Sequence, residues 1–184
     1  MATARPTAPS LLVIACFSRH AEALDWAGAR LAQTFGPIAM ASADFDFHHT
    51  QYYEPTMGPG LRKRFLVFQE LVAADCLADV KRFTISLEQQ LIGADRFAEK
   101  RPLNLDPGLL HLGKFLLATT KDQQHRIYLR DGIYAEVTLR FQDGAFEPWP
   151  WTYADYREPA VREFLKAARD YYRSLLASLS GEIT

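Results

Sequence analysis

Residues 11–45 read LLVIACFSRHAEALDWAGARLAQTFGPIAMASADF, and this stretch decides the class of fold. Leu11–Ser18 is a continuous apolar run with the length of a buried strand. Apolar residues then recur at helical spacing over 20–35, and a Gly-Pro pair ends that helix. The run from Ile38 to Phe45 is predicted to be a second strand. The stretch therefore forms one strand–helix–strand unit.

A second unit of the same kind follows along the chain. Residues 46–60 lack periodicity and are predicted to form a long loop, and Leu61–Val72 is rich in residues that favour strands. A helix is predicted to begin after Asp75, a suitable N-cap residue. Its apolar face consists of Cys76, Val80, Phe83, Leu87 and Leu91. The rest of the unit is a turn-rich loop over 93–108 and an apolar strand, which also fits a helix, over Leu109–Thr119.

A hairpin is predicted from His125–Leu129 and Ile133–Phe141. A three-residue turn over 130–132 pairs Leu129 with Ile133 and places Arg126 opposite Glu136, whereas a two-residue turn would mix polar and apolar faces. The core face then consists of Ile133, Ala135, Val137, Leu139 and Phe141. The opposite face consists of Arg126, Tyr128, Tyr134, Glu136 and Arg140, while His125 points inward. That face is interpreted either as a solvated surface with one ion pair or as an anion-binding surface.

The chain ends in a predicted amphipathic helix that begins near Pro159. The order of elements predicts an α+β fold, a ferredoxin-like (split βαβ) sandwich extended by a β-hairpin and a C-terminal helix. We expect a single domain over 11–184, preceded by a disordered tail over 1–10.

Composition excludes several classes of protein. The 184 residues contain 21 Lys and Arg against 22 Asp and Glu, so no global field steers nucleic acid or an anionic membrane. No apolar run approaches the ~20 residues of a membrane span. The segment Val13-Ile14-Ala15-Cys16 matches a lipoprotein box, but the apolar region before it is too short for a signal peptide. We therefore expect a cytoplasmic protein whose two cysteines are reduced.

Two motifs suggest chemistry that their details do not support. Gly108-x4-Gly113-Lys114 has the outline of a phosphate-binding loop, but Phe115 stands where a Ser or Thr must hold Mg²⁺. Asp46-x-His48-His49 offers metal-ligand types, but adjacent side chains on an extended segment point in opposite directions. The sequence therefore predicts no metal site and names no cofactor.

Five motifs occur together in a fixed order. They are Tyr52-Tyr53-Glu54-Pro55-x-Met57-Gly58, Asn104-Leu105-Asp106-Pro107-Gly108, Thr120-Lys121-Asp122-x-x-His125-Arg126-Ile127-Tyr128, Gly132-Ile133-Tyr134-Ala135-Glu136-Val137-Thr138-Leu139 and Trp151-Thr152-Tyr153-x-Asp155-Tyr156. In this order they resemble the bacterial family designated domain of unknown function 4416. The resemblance covers nearly the whole chain after the N-terminal tail, and it implies no activity, cofactor or catalytic residue.

Two hypotheses about function follow from the ionisable residues of these motifs. The first is an enzyme that binds a small anionic molecule, phosphorylated or carboxylated and including nucleotide-like molecules, with His125 as general acid/base oriented by Asp106 or Glu136. Its predicted ligand-binding residues are Arg126, Lys121, Lys114, Asp122, Arg140 and Tyr53. The second is a non-catalytic module that binds RNA or a protein through Tyr52, Tyr53 and the basic run Arg62–Arg64. The simpler interpretation of this run, and of the pair Lys81-Arg82, is a solvated surface.

Overall fold

The computed structural model describes residue 3 and residues 6–48 and 52–181, and the structural statements below refer to these residues. The strands are β1 (Ser10–Ser18), β2 (Ile38–Ala41), β3 (Phe45–Asp46), β4 (Arg62–Val72), β5 (Asn104–His111), β6 (Lys114–Thr119), β7 (Ile127–Arg130), β8 (Ile133–Gln142) and β9 (Ala145–Pro148). The helices are α1 (Ala21–Phe35), α2 (Glu54–Met57), α3 (Leu77–Gly93) and α4 (Pro159–Gly181), with a 3₁₀ turn at Ala154–Arg157.

The nine described strands form a single sheet in the order β2-β4-β1-β5-β6-β8-β7. The short strand β3 pairs with β4, and β9 pairs with β8. Each of the pairings is antiparallel. The predicted mixture of helices and strands, with a C-terminal helix, is therefore confirmed.

Helices cover both faces of the sheet. On one face, α1 and α3 pack through residues such as Leu24 and Leu87 against Leu12 and Ile14 of β1. On the other face, α4 packs through residues such as Leu165 against Val13 and its neighbours. Because successive side chains of a strand alternate between faces and both faces are covered, β1 is buried on both sides and is apolar between its two terminal serines. The molecule thus has three layers, which we name by their helices as the α1/α3 face and the α4 face.

The turn-rich loop predicted over 93–108 is wrong in its last part, because Asn104–Gly108 belong to β5 and pair with β1. The single strand predicted over Leu109–Thr119 is also wrong. The chain instead completes β5, turns after His111 and returns as β6. Among the described residues, the β5–β6 ladder begins only at Gly108, so Pro107 lies just outside it. A proline is tolerated there because its missing N–H is not needed for pairing with β6.

The β7–β8 hairpin confirms part of the predicted register. Ile127 pairs with Ala135 as expected, but Ile133 pairs with Arg130 rather than with Leu129. The turn therefore has two residues, Asp131 and Gly132, both with positive φ, as in a type I′ turn. Leu129 is therefore an extra residue in β7, and beyond it the two strands return to the predicted register. The apolar residues of β7 do not reach the core, since Ile127 is 72% exposed.

A bulge in β8 changes which residues face which layer. Leu139 pairs with Phe115 and Val137 pairs with Leu116, so Thr138 is an extra residue in β8. Ile133 and Ala135 accordingly pack on the α1/α3 face, whereas Leu139 and Phe141 pack on the α4 face. The prediction that all of these residues share one core face is therefore wrong. The predicted polar face is only partly solvated, because Glu136 is 2% exposed whereas Tyr128 is 57% exposed.

Several element ends differ from their predictions. The strand predicted to reach Phe45 ends at Ala41, and Phe45 belongs to the separate strand β3. The N-cap of α3 is Cys76 rather than Asp75, and its side chain makes no capping hydrogen bond. At the N-terminus Ser10 already belongs to β1, while part of the predicted disordered tail lies outside the described residues. None of the described helices is long and apolar enough to cross a membrane.

Candidate functional site

A cavity of about 400 Å³ opens where the sheet forks. The part of β5 before Gly108 pairs with β1, and the part of β6 after Leu117 pairs with β8. Within the described residues, the two strands have no pairing with each other beyond the Gly108–Leu117 pair. Side chains from both faces can therefore enter the gap, which we call the fork cavity. Its lining includes residues of β1, α3, β5, β6, β8, the 3₁₀ turn and the loop before α2.

The floor of the fork cavity is a network of polar side chains centred on Asp106. One Asp106 oxygen accepts a hydrogen bond from Lys81 Nζ at 3.0 Å, and the other accepts one from Asn104 Nδ2 at 2.8 Å. Arg101 donates to the Asn104 amide oxygen and, at 3.0 Å, to Glu88. Lys81, Glu88 and Asn104 are buried. Because removing such groups from water is costly, the network indicates a built site rather than a chance arrangement.

The charges of this network set the protonation of its two carboxyl groups. Burial alone raises the pKa of Asp106, but the Lys81 and Lys63 ammonium groups and the hydrogen bonds from Lys81 and Asn104 outweigh it. The pKa of Asp106 therefore lies below its usual value. Burial raises the pKa of Glu88 above its usual value, although Lys81 and Arg101 oppose this. Asp106 consequently presents an ionised carboxylate, a hydrogen-bond acceptor, to the cavity.

Glu136 forms a second polar centre in the cavity wall. Its Oε2 accepts a hydrogen bond from Arg126 Nε at 2.8 Å and lies 3.3 Å from His125 Nε2, while Thr138 donates to Oε1 at 3.1 Å. The predicted contact between Arg126 and Glu136 is thus present. The Arg126 guanidinium also donates to the Lys121 carbonyl oxygen at 2.9 Å and to the Tyr153 hydroxyl at 2.6 Å. Arg126 therefore connects residues of the cavity wall by hydrogen bonds and does not itself line the cavity.

A third carboxylate, Asp155, lies in the wall and pairs with Lys63. Lys63 is almost fully buried, and its ammonium group lies 3.8 Å from the Tyr156 ring centroid and 4.4 Å from that of Phe17. Burial lowers the pKa of Lys63, whereas Asp155 opposes this effect. The interpretation of the Arg62–Arg64 run as solvated surface holds for Arg62 alone. Lys63 is internal, and Arg64 binds Asp44 at 2.6 Å and Asp25 at 2.7 Å.

Tyrosines and one lysine form the outer part of the cavity. Lys121 Nζ lies 4.3 Å from the ring centroid of Tyr52, which is 65% exposed. Burial raises the pKa of Tyr153 to about 12 and raises that of Tyr53 further, with Asp106 adding to the effect at Tyr53. Both phenols are therefore protonated at neutral pH, so their hydroxyl groups remain hydrogen-bond donors.

The structure brings together some of the predicted site residues and separates others. Asp106, Glu136, Lys121 and Tyr53 line the fork cavity. The remaining predicted residues, which do not line it, are His125, Arg126, Lys114, Asp122 and Arg140.

Each of those separated residues has a different location. His125 stacks on Trp151 at 5.2 Å on the far side of Glu136, in a shallow surface hollow. Lys114 is the first residue of β6 and pairs with Arg140, whereas Lys121 follows the opposite end of that strand. Arg140 pairs with Glu147 at 2.9 Å, and Asp122 interacts with Tyr134.

Lys81, Arg101 and Asp155 line the cavity, although no sequence pattern assigned them a functional role. The interpretation of Lys81 as solvated surface is wrong, since it is 5% exposed. A signal did exist, because Lys81, Thr84 and Glu88 recur at helical spacing after Leu77 and all are buried. Polar residues on the buried face of a helix indicate an internal polar network. No comparable signal marks Arg101, which lies in the loop after α3.

The two rejected motifs have structural explanations. The glycines of the apparent phosphate loop lie in β5 and in the β5–β6 turn, and no helix follows them, so a phosphate-binding loop is not formed. His49 lies outside the described residues. Within the described part of the chain, no cluster of three or more His, Cys, Asp or Glu side chains is arranged to hold a metal ion.

Comparison with known proteins assigns the chain to a family. The model of the family described as "Domain of unknown function (DUF4416)" matches residues 8–172. The chain belongs to this family. The match includes every residue of the fork cavity, so the cavity lies within the DUF4416 domain. No curated protein and no solved structure gives a significant match to this DUF4416 chain.

Proposed function

We propose that the protein binds a small organic anion, phosphorylated or carboxylated, in the fork cavity. The observation that carries this proposal is the balance of charge around the cavity. Four carboxylates in or directly behind its wall each have a cation as partner: Asp106 with Lys81, Glu136 with Arg126, Asp155 with Lys63 and Glu88 with Arg101. Among the described residues, Lys121 lines the cavity without a carboxylate partner. One positive charge therefore remains for a ligand.

Other groups in the cavity suit the same kind of ligand. The Tyr153 hydroxyl accepts a hydrogen bond from Arg126 and keeps its own proton to donate. Arg101 is partly exposed beside Asn104 and adds positive potential to the floor. Hydroxyl and ammonium donors in a partly enclosed site bind anions more strongly than they do in bulk water. These features support anion binding beyond the single charge of Lys121.

An enzymatic role for His125 would require the participation of Glu136. His125 does not line the cavity, and its Nε2 lies 3.3 Å from the buried Glu136 carboxylate that does. A proton exchanged between His125 and a ligand would therefore pass through Glu136. We propose this His125–Glu136 pair as the acid/base group of the site, and Asp106 as a fixed acceptor that orients the ligand.

A thermal-shift and calorimetry experiment tests the anion site. The wild-type chain is screened with inorganic phosphate and with a panel of phosphorylated and carboxylated metabolites, and hits are repeated with Lys121→Gln and Lys114→Gln. We expect ligand-induced stabilisation in the wild type, because binding to the folded state raises the melting temperature. Lys121→Gln should abolish it, and Lys114→Gln should retain it, since Lys114 is exposed at the distant first position of β6. Equal binding by both variants would disprove the assignment of Lys121.

The basic run Arg62–Arg64 does not support the alternative of an RNA-binding module, because its side chains form ion pairs within the protein. Arg62 and Arg64 share Asp44, and Lys63 is internal. Tyr52 remains exposed but has no adjacent row of solvated cations from this run. Salt-dependent RNA binding needs such cations.

We further propose that β1, α1, β2, β4, α3 and β5 form a ferredoxin-like core. The neighbour order β2-β4-β1-β5 and the antiparallel pairing of β1 with both β4 and β5 support this assignment. In a split βαβ arrangement, the two strands of a unit are separated by a third strand, as β1 and β2 are here. An experimental structure with a different strand order would refute it.

A further inference from the structure

Resting on the proposed anion site, we infer that the natural ligand carries a planar ring, which packs against an aromatic wall of the fork cavity. The wall consists of Phe17, at the end of β1, Phe47, after β3, and Tyr53, before α2. Their ring centroids lie 4.9 Å apart for Phe17–Phe47, 5.8 Å for Phe47–Tyr53 and 6.1 Å for Phe17–Tyr53. Three separate elements thus contribute to one continuous aromatic surface.

The size of the cavity exceeds the needs of a bare anion. Its volume of about 400 Å³ falls in the range of sites for organic molecules, which is roughly 300–1,000 Å³. Water occupies about 30 Å³ per molecule, so a lone phosphate or carboxylate group would leave most of the space filled with solvent. Aromatic surface that faces this solvent is unfavourable, because apolar surface gains free energy when it is removed from water. A ligand with an apolar portion removes this cost.

The shape of that apolar portion follows from the side chains it must contact. Aromatic side chains associate with other rings through stacked and edge-on contacts, and these contacts favour flat partners over branched aliphatic ones. At the mouth of the cavity the Lys121 ammonium lies over the Tyr52 ring, so a positive charge and an exposed ring are presented side by side. An anionic group attached to a planar ring would meet both at once.

A pair of matched probes isolates the contribution of the ring. Methyl phosphate and phenyl phosphate carry the same ionised group, and their binding is measured by calorimetry at constant ionic strength. We expect phenyl phosphate to bind about tenfold more tightly, as partial burial of one ring predicts. In Lys121→Gln both probes should lose binding, because both depend on the same charge.

Variants of the rings provide the decisive comparison. Phe47→Leu and Tyr52→Leu keep apolar bulk but remove a ring, and each should reduce the ratio of the affinity for phenyl phosphate to the affinity for methyl phosphate. Tyr128→Leu serves as the matched control, because Tyr128 is an exposed ring on β7 outside the cavity. It should keep the full preference.

The outcomes separate this inference from the proposed function. If both probes bind with equal affinity and both depend on Lys121, the inference that the ligand carries a ring is overturned and the proposed anion site stands. A preference for phenyl phosphate that persists in Phe47→Leu and Tyr52→Leu would place the ring elsewhere and also overturn the inference. Failure of both probes to bind the wild type would overturn both proposals.

Discussion

Glu136 and Arg126 illustrate how much the neighbours of a residue determine its role. The hairpin pattern correctly predicted that these two side chains meet, because cross-strand register follows from the alternation of apolar residues. It did not predict that the pair would be buried, since the cover is supplied by Tyr153 and its neighbours, which are remote in sequence. The same limit applies to Lys63, where sequence composition suggested a surface charge and the fold provides an aromatic cage.

Removing Arg126 should destabilise the protein strongly. In Arg126→Ala the buried Glu136 carboxylate loses its closest cation, and an uncompensated buried charge costs about 3–5 kcal/mol. Urea unfolding monitored by circular dichroism measures this loss of unfolding free energy. Arg130→Ala in the same hairpin is the control, because its partner Asp79 is exposed and the pair is screened by solvent. A large effect in both variants, or in neither, would contradict this account of Glu136.

Asp106 should contribute to stability in a defined range of pH. Because its pKa is lower in the folded protein than the ordinary value of about 3.9, its contribution is complete above that value. The contribution is lost as the pH falls from about 4 through the lower folded pKa. Asp106→Asn should therefore flatten the acid limb of a plot of unfolding free energy against pH. An acid limb of unchanged slope would show that the Lys81–Asp106 pair has no net effect on folding.

At the scale of elements, the first βαβ unit was predicted well and the β5–β6 hairpin was not. The strand β1 and helix α1 were evident because each has a long and regular apolar pattern. Asp106-Pro107-Gly108 has the composition of a turn, yet the three residues lie in an extended strand. Pro107 is accommodated by the fork, and Gly108 by close contact with β6. Both are long-range conditions that no local pattern reveals.

The two glycines of the apparent phosphate loop should differ sharply in their tolerance of a methyl group. A Cβ on Gly108 would approach the Leu116 carbonyl oxygen to 2.4 Å, whereas a Cβ on Gly113 would meet nothing within 4 Å. Gly108→Ala should cost at least about 1–3 kcal/mol, because backbone atoms must shift. Gly113→Ala should be close to neutral. Thermal unfolding of the two variants side by side makes the comparison, and equal stabilities would contradict the close packing of β5 on β6.

For the whole molecule, the fork in the sheet explains why a cavity exists at all. A sheet covered by helices on both faces ordinarily closes its core, since paired strands leave no gap for side chains. Here the separation of β5 from β6 admits polar groups from α3 and from the 3₁₀ turn to the same space. The sequence predicted which charged residues belong to the motifs, but not the gap in which they meet. The position of that gap depends on where the pairing between neighbouring strands ends, which no local pattern in the sequence indicates.

The third layer, helix α4, should be essential for the stability of the domain. Leu165 is fully buried against the α4 face of the sheet, so Leu165→Ala should cost about 2–5 kcal/mol through lost burial and an internal cavity. Leu179 lies on the same helix but is 45% exposed, and Leu179→Ala should change stability by no more than about 0.5 kcal/mol. Chemical denaturation would distinguish them. Similar small effects would indicate that α4 is only loosely attached.

The extra residue in β8 has a consequence for any altered length of this strand. Thr138 acts as a one-residue phase shift between the Glu136 end of the strand and the Leu139 end. Deleting it would make Val137 and Leu139 neighbours, and strict alternation would then leave Ala135 and Leu139 on the opposite faces that they already occupy. Glu136 would stay in the wall of the fork cavity, and the loss would be limited to the hydrogen bonds that Thr138 makes with Glu136 and Thr152. A residue inserted into the paired part of β8 is the severe change, because it would exchange the faces of every side chain at one end of the strand.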